Sequence, residues 1–147
     1  MLRLIFKMIR RVEDDDFSRL REIWESSVLH THDFLTEVDF EFYKENLPNY
    51  FPHVALYGFE IKSQLVGFVG VAEHNLEMLF IHNDFRRKGI GKALLEFSIQ
   101  ELNVKSVDVN EQNKQAVDFY LSQGFHIVSR SEKDEEEKDY PILHLSL

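Results

Sequence analysis

Arg86-Arg87-Lys88-Gly89-Ile90-Gly91-Lys92-Ala93 is the stretch that decides how this chain is read. Before it runs an apolar segment of strand length, Leu76 to Ile81. After it, Lys92 to Leu102 carries Leu95, Ile99 and Leu102 at helical spacing. A strand, a glycine turn and a helix start in that order bring free N–H groups and the positive end of a helix dipole to one point. The glycines let backbone approach a bound group closely. Arg86, Arg87, Lys88 and Lys92 concentrate positive charge there, although the chain as a whole carries a formal charge of −9. Such focusing draws a polyanion to the loop in spite of the net charge. Two familiar phosphate motifs do not fit. A P-loop needs glycine where Arg86 stands and Ser or Thr where Ala93 stands. A dinucleotide fingerprint needs a third glycine where Leu94 stands.

Outward from the loop the hydrophobic period changes twice. Upstream, Met8 to Val12 reads as a first strand, and Asp14, Asp15 and Asp16 offer caps for a helix carrying Phe17, Leu20, Trp24 and Val28 on one face. Thr36 caps a second helix with Phe40, Tyr43 and Leu47 inward, and Pro48 is expected to stop it. His53 to Phe59 and Leu65 to Ala72 read as strands joined at Lys62-Ser63-Gln64. Downstream, Ser106 to Val109 alternates, Asn113 to Gln123 is a short helix closed by Gly124, and His126 to Ser129 pairs with Ile142 to Leu145 around an acidic segment, Glu132 to Asp139. That segment reads as a solvated hairpin loop. The order β α α β β β α β α β β describes one mixed α/β domain spanning residues 1–147.

Composition removes several classes of function. Of 147 residues, 44% are hydrophobic and 29% charged, which is globular rather than disordered usage. The absence of cysteine excludes disulfides, thiolate metal sites and an acyl-cysteine route. The negative balance argues against nucleic acid as a partner. No run approaches the ~20 apolar residues of a membrane span, and Met1 to Lys7 is too short for a signal peptide, so a cytoplasmic protein is expected. His30, His32 and Asp33 have no further ligand at recognisable spacing, so no metal is expected.

Arg86-Arg87-Lys88-Gly89-Ile90-Gly91 resembles the acetyl-CoA motif of the GCN5-related N-acetyltransferase (GNAT) family, Gln/Arg-x-x-Gly-x-Gly/Ala. Asn110 to Asn113, Ala116, Phe119-Tyr120 and Gly124-Phe125 resemble the family's next segment, in the right order on the right elements. The resemblance implies a mostly antiparallel sheet that splays after its fourth strand, flanked by about four helices. It implies acetyl-CoA as co-substrate and an amine acceptor, small molecule or protein. Backbone groups of Leu79, Phe80 and Ile81 would pair with the pantetheine arm, and N–H groups from Arg87 through Lys92 would hold the pyrophosphate. Asn113 looks like the residue that bonds the cofactor arm, and Tyr120 like the general acid. Nothing in the sequence separates a monomer from a homodimer.

Transfer to an amine needs loss of an amine proton, stabilisation of a carbonyl oxygen gaining charge, and protonation of the leaving thiolate. A phenol with an ordinary pKa near 10 holds its proton at neutral pH, so Tyr120 suits the last step. Packing in the core is its other reading, since Ala116 and Tyr120 share helical spacing. For the base, Asn75 stands near the place where many family members carry Glu, and Glu77 lies two residues on; Asp108 and ordered water are further candidates. The resemblance implies that Thr31, His32, Phe34 and Tyr140 border the acceptor pocket; a local cap and packing cluster is their other reading. The acidic balance favours a cationic acceptor. Two readings stand: an N-acetyltransferase working by direct attack in a ternary complex, and a CoA-binding or sensing module without efficient transfer. A nucleotide-phosphate binder using the same loop is a third, weakened by the failed P-loop.

Overall fold

The computed structural model describes residues 2–147; Met1, which opens the stretch read above for a signal, lies outside them. The described chain runs α1 (Leu2–Phe6), β1 (Ile9–Arg11), α2 (Phe17–Thr31), α3 (Glu37–Tyr50), β2 (Ala55–Ile61), β3 (Gln64–Ala72), β4 (Asn75–Ile81), α4 (Ile90–Glu101), β5 (Ser106–Asn110), α5 (Lys114–Ser122), β6 (His126–Ser131) and β7 (Ile142–Ser146). After α1 the order is the one the periodicity predicts. Helix α1 itself is an addition; Phe6 docks edge-on against Phe97 of α4, with ring centroids 5.4 Å apart. Among the described residues no helix is long and apolar enough to cross a membrane.

Two apolar layers sandwich the first half of the sheet. Leu65 to Val71 of β3 are all buried, as suits a strand covered on both faces. One core joins Val66, Val69, Leu94, Leu95, Val107 and Leu145 beneath α4 and α5. The other joins Phe68, Leu20, Ile23, Trp24, Leu47 and Phe51 beneath α2 and α3. In the second half of the sheet the alternation is one-sided: Val107, Val109, Leu143 and Leu145 enter the first core, while Asp108 and His144 take the opposite face.

The sheet order is β1-β2-β3-β4-β5-β7-β6. All neighbours are antiparallel except β4 and β5, which run parallel and pair only at Asn75–Ser106 and Leu76–Val107. Beyond those two pairs the strands part, which is the splay expected after the fourth strand. A bulge sits at the parting. Gly70 opposes Met78 but Val71 opposes Leu76, so Glu77 is the extra residue. The bulge sends Leu76 into the first core and Met78 into the second.

Local differences from the sequence reading have physical causes. The three aspartates form a single 3₁₀ turn instead of capping α2; Asp16 is taken by Arg10 at 2.8 Å and by the Glu13 N–H at 2.9 Å. Pro48 does not stop α3, which continues to Tyr50. Proline in a last turn removes one helical hydrogen bond, and buried Leu47 and Phe51 hold the segment through packing. Thr36 does cap α3, accepting from Asp39 N–H at 3.1 Å, and Gly124 closes α5 at φ +99°.

Leu94 is fully buried between the sheet and α4. Leu94→Ala should lower unfolding free energy by about 2–5 kcal/mol, whereas Leu121→Ala, at an exposed position, should change it by less than about 0.5 kcal/mol. Urea unfolding followed by circular dichroism checks both. Equal effects would contradict the core assignment.

Candidate active site

The cleft opened by the parting of β4 and β5 has two walls of different chemistry. On β4, His82 N–H donates to Val66 O at 2.8 Å, and the register pairs Phe80 with Phe68 and Met78 with Gly70. In an antiparallel ladder alternate residues bond to a given neighbour. Phe80 therefore bonds to β3, and the N–H and C=O groups of Leu79 and Ile81 turn the other way, where β5 has already left. They form a short unpaired edge facing the cleft, ready to take an extended chain as an added strand would be taken.

Below that edge lies the glycine loop. Arg87 and Gly89 both adopt positive φ, +62° and +79°, and Gly89 is the N-cap of α4. A side chain at Gly89 would meet open space, so the left-handed backbone alone is what calls for glycine. The N–H groups of Ile90, Gly91 and Lys92 lie in the first turn, ahead of the first helical bond, Ala93 N–H to Gly89 O at 3.0 Å. A cavity of about 340 Å³ runs along Leu79 to Ile81 to this helix start, and Arg86, Arg87, Gly89, Ile90, Gly91 and Lys92 line it. Lys88 does not; its ammonium sits over the Phe85 ring. The arrangement offers donors suited to an anion at one end and an unpaired strand edge along the other.

A second, larger cavity of about 860 Å³ meets the first. His32, Leu79, Phe80, Asn113, Ala116 and Tyr120 line both. Tyr120 is buried at this junction, against Phe125 and Phe119. Burial pushes its phenol well above the ordinary value, so the proton is held firmly. Core packing and a place at the junction are thus both true of Tyr120. The Asn113 side-chain oxygen accepts from Ala116 N–H at 3.3 Å, capping α5 while the residue faces both cavities.

The larger cavity is acidic. Glu77, Asp108 and Glu135 bring carboxylate oxygens within 4.8 Å of one another. Desolvation first, then the nearby Asp108 charge, raises the Glu77 carboxyl above its ordinary value; a hydrogen bond from Asn75 at 2.9 Å opposes the rise. Neither His30 nor His32 belongs to an acidic or metal-ligating group among the described residues. His30 is exposed and bonds Ser26 O. His32 lines the cavities, with Thr31 Oγ1 at 2.7 Å from its Nδ1. Of the other pocket candidates, Thr31 lines the smaller cavity, Tyr140 is buried in a third beside it, and Phe34 leans on His32 and Tyr140.

Three features of this cavity are absent from the sequence reading. First, Glu132 to Asp139 is a mostly exposed hairpin loop, as expected, but it is also anchored. Tyr43 and Tyr50 of α3 donate to Asp134 and Glu136, and Lys138 pairs with Asp39 at 3.1 Å while lying over Phe42. The loop is thereby docked as an acidic wall. Second, Ser131 Oγ lies 2.7 Å from His144 Nε2, and His144 Nδ1 lies 2.6 Å from Asp108. Third, Asn75 donates to both Glu77 and Asp108, and accepts from Ser106 at 2.7 Å. A lone histidine in Ile142-Leu143-His144-Leu145 was the visible signal; which strands lie beside it was not.

Comparison with known proteins agrees with this geometry. The Acetyltransferase (GNAT) domain model matches residues 25–140. The chain is 37% identical over 138 residues to the peptidyl-lysine N-acetyltransferase YjaB of Salmonella typhimurium, covering 93% of this chain and 95% of that one. The solution structure of apo-form YjaB from Escherichia coli superposes with a TM-score of 0.86 at 35% identity, covering 94% of this chain and 95% of that one. A PaiA N-acetyltransferase from Thermoplasma acidophilum, in complex with coenzyme A, shares the fold with a TM-score of 0.69 at 22% identity, covering 95% and 98% of the two chains.

Burial lowers the His32 imidazole from its ordinary 6.5 to about 4, the Asp33 charge opposing the shift only in part. The unfolded chain then holds the extra proton between those two values. Stability is full above pH 6.5 and falls as pH drops towards 4. His32→Gln should flatten that fall, as read from urea midpoints at several pH values. An unchanged slope would contradict the assignment.

Proposed function

The chain belongs to the GNAT acetyltransferase family, and on that premise we propose that it transfers an acetyl group from acetyl-CoA to the ε-amine of a lysine in a protein. The observation that carries the reading is the meeting, at Tyr120, of a cationic anion-binding cleft and an acidic cavity. The lysine acceptor is supported by that acidity and by the YjaB relatives, whose name states peptidyl-lysine.

The residues present fit the co-substrate. The N–H groups at the start of α4, with Arg86, Arg87 and Lys92 beside them, suit a pyrophosphate. The cleft-facing groups of Leu79 and Ile81 suit the amides of a pantetheine arm, and Asn113 is the side chain that flanks it. Acetyl-CoA supplies the activated acetyl thioester. The Leu79 N–H is the backbone donor for the carbonyl oxygen as it gains charge. Glu77, with Asp108 and Glu135 near it, draws the lysine ammonium and orients it by hydrogen bonding. Tyr120 gives its proton to the departing sulfur. With no cysteine in the chain, the amine attacks directly while both substrates are bound.

Tyr120→Phe should lower kcat on a lysine peptide by about 10²-fold or more, with the Kd for acetyl-CoA little changed. Retention of full kcat would remove Tyr120 from the acid role. Acetyl-CoA binding without transfer to lysine by the unaltered protein would favour the sensing module. Initial-rate lines for varied acetyl-CoA at several peptide concentrations should intersect; parallel lines would contradict direct attack.

A further inference from the structure

Accepting the transfer reading above, on which this rests, we infer that Ser131, His144 and Asp108 form the path by which the acceptor ammonium loses its proton, with His144 as the proton acceptor. The three come from three strands. Asp108 lies on β5 directly opposite His144 on β7, and Ser131 is on β6, on the same face. That face is the one turned from the apolar core, and all three residues line the acidic cavity.

The hydrogen-bond geometry fixes the tautomer. An ionised carboxylate only accepts. Asp108 Oδ1, at 2.6 Å, therefore requires the hydrogen of the neutral ring to be on Nδ1. Nε2 is left as the acceptor, and Ser131, at 2.7 Å, turns its O–H towards it. The serine oxygen then offers its lone pairs to an incoming N–H. The other Asp108 oxygen takes the Asn75 amide at 3.1 Å, and Asn75 is itself held by Ser106. The carboxylate is clamped on both oxygens, and so is the ring it holds. This gives Asn75, which stands near the family's usual glutamate, a positioning role.

The cavity around the ring is rich in carboxylates. Besides Asp108, the charged and titratable groups around the cavity are Glu77 from β4, Lys133 through Glu137 from the docked loop, and His32, His53, Tyr43, Tyr50 and Tyr120. Carboxylates outnumber the single lysine. An imidazole is also a better match than an ordinary carboxylate to an amine whose pKa is near 10.4. The step balances. The ammonium passes one proton to Ser131 Oγ as the serine hydroxyl hydrogen moves to Nε2. The neutral amine then forms the C–N bond as the C–S bond breaks. The nitrogen's second proton replaces the one Tyr120 gives to sulfur, and His144 returns its proton to solvent. Ser131 is a conduit and not a nucleophile, because the cleft-facing N–H donors belong to β4, three strands from β6.

The test combines kinetics with spectroscopy. His144→Gln and Ser131→Ala should each lower kcat on a lysine peptide by about 10²-fold, with the acetyl-CoA Kd and the thermal midpoint little changed. His144→Gln should also erase the acid limb of the kcat/KM profile. Long-range ¹⁵N–¹H correlation on the unaltered protein should show His144 with its hydrogen on Nδ1 when neutral. An Nε2–H tautomer, an acid limb retained by His144→Gln, or an acetyl group found on Ser131 by mass spectrometry would each overturn the path. An unaltered protein that acetylates lysine while any of these holds leaves the transfer reading standing and removes only this inference. If His144→Gln fails to fold, Ser131→Ala and the tautomer decide.

Discussion

Two residue pairs hold β4 to β5, and everything functional in this molecule follows from there being only two. A longer parallel ladder would pair the Leu79 and Ile81 backbone groups with β5 and close the cleft. The sheet tolerates the gap because each half has its own support. β3 and β4 are clamped between α4 on one face and α2 and α3 on the other, while β5 and β7 rest on α5 through Val107, Val109, Leu143 and Leu145. The bulge at Glu77 marks where the ladder is given up, and it turns the following side chains so that both cores stay filled. Unpaired backbone groups lining a cleft are a standing demand for a partner. An extended chain bearing amides meets that demand; a nucleotide without such an arm leaves it unmet.

Charge is sorted along the same cleft. The net −9 describes the molecule poorly, because cations gather at the start of α4 and carboxylates gather around the larger cavity. On the proposed function, an anionic co-substrate and a cationic acceptor would be drawn to opposite ends of one opening, with the buried Tyr120 between them. The acidic wall is folded on itself by backbone N–H bonds to Asp134 and held against α3 by two tyrosine hydroxyls and an ion pair, so loop charge becomes site charge.

The elements that read well from sequence are those specified locally. The glycine loop, the helix spacing of Leu95, Ile99 and Leu102, the Thr36 cap and the Gly124 stop all depend on neighbours a few residues away, and each appears in the fold. The family resemblance then supplied the splay. What did not read was set by distant partners. The Glu77 bulge exists because of a register between β3 and β4. Asp16 left its cap for Arg10. The segment Glu132 to Asp139 reads as a solvated hairpin loop and stays mostly exposed, but nothing local shows that Tyr43 and Tyr50 of α3 dock it. Ser131, His144 and Asp108 are spread over three strands, and only the order β5-β7-β6 brings them together.

On the proposed function, the parted edge of β4 receives the co-substrate's amide-bearing arm. Amide hydrogen exchange read residue by residue by NMR, with and without saturating acetyl-CoA, tests it most directly. The Phe80 amide, already bonded to β3, should be protected in both states, while one or both of the Leu79 and Ile81 amides should become protected only with acetyl-CoA. Unchanged exchange at Leu79 and Ile81 under saturation, with protection gained elsewhere, would contradict the account.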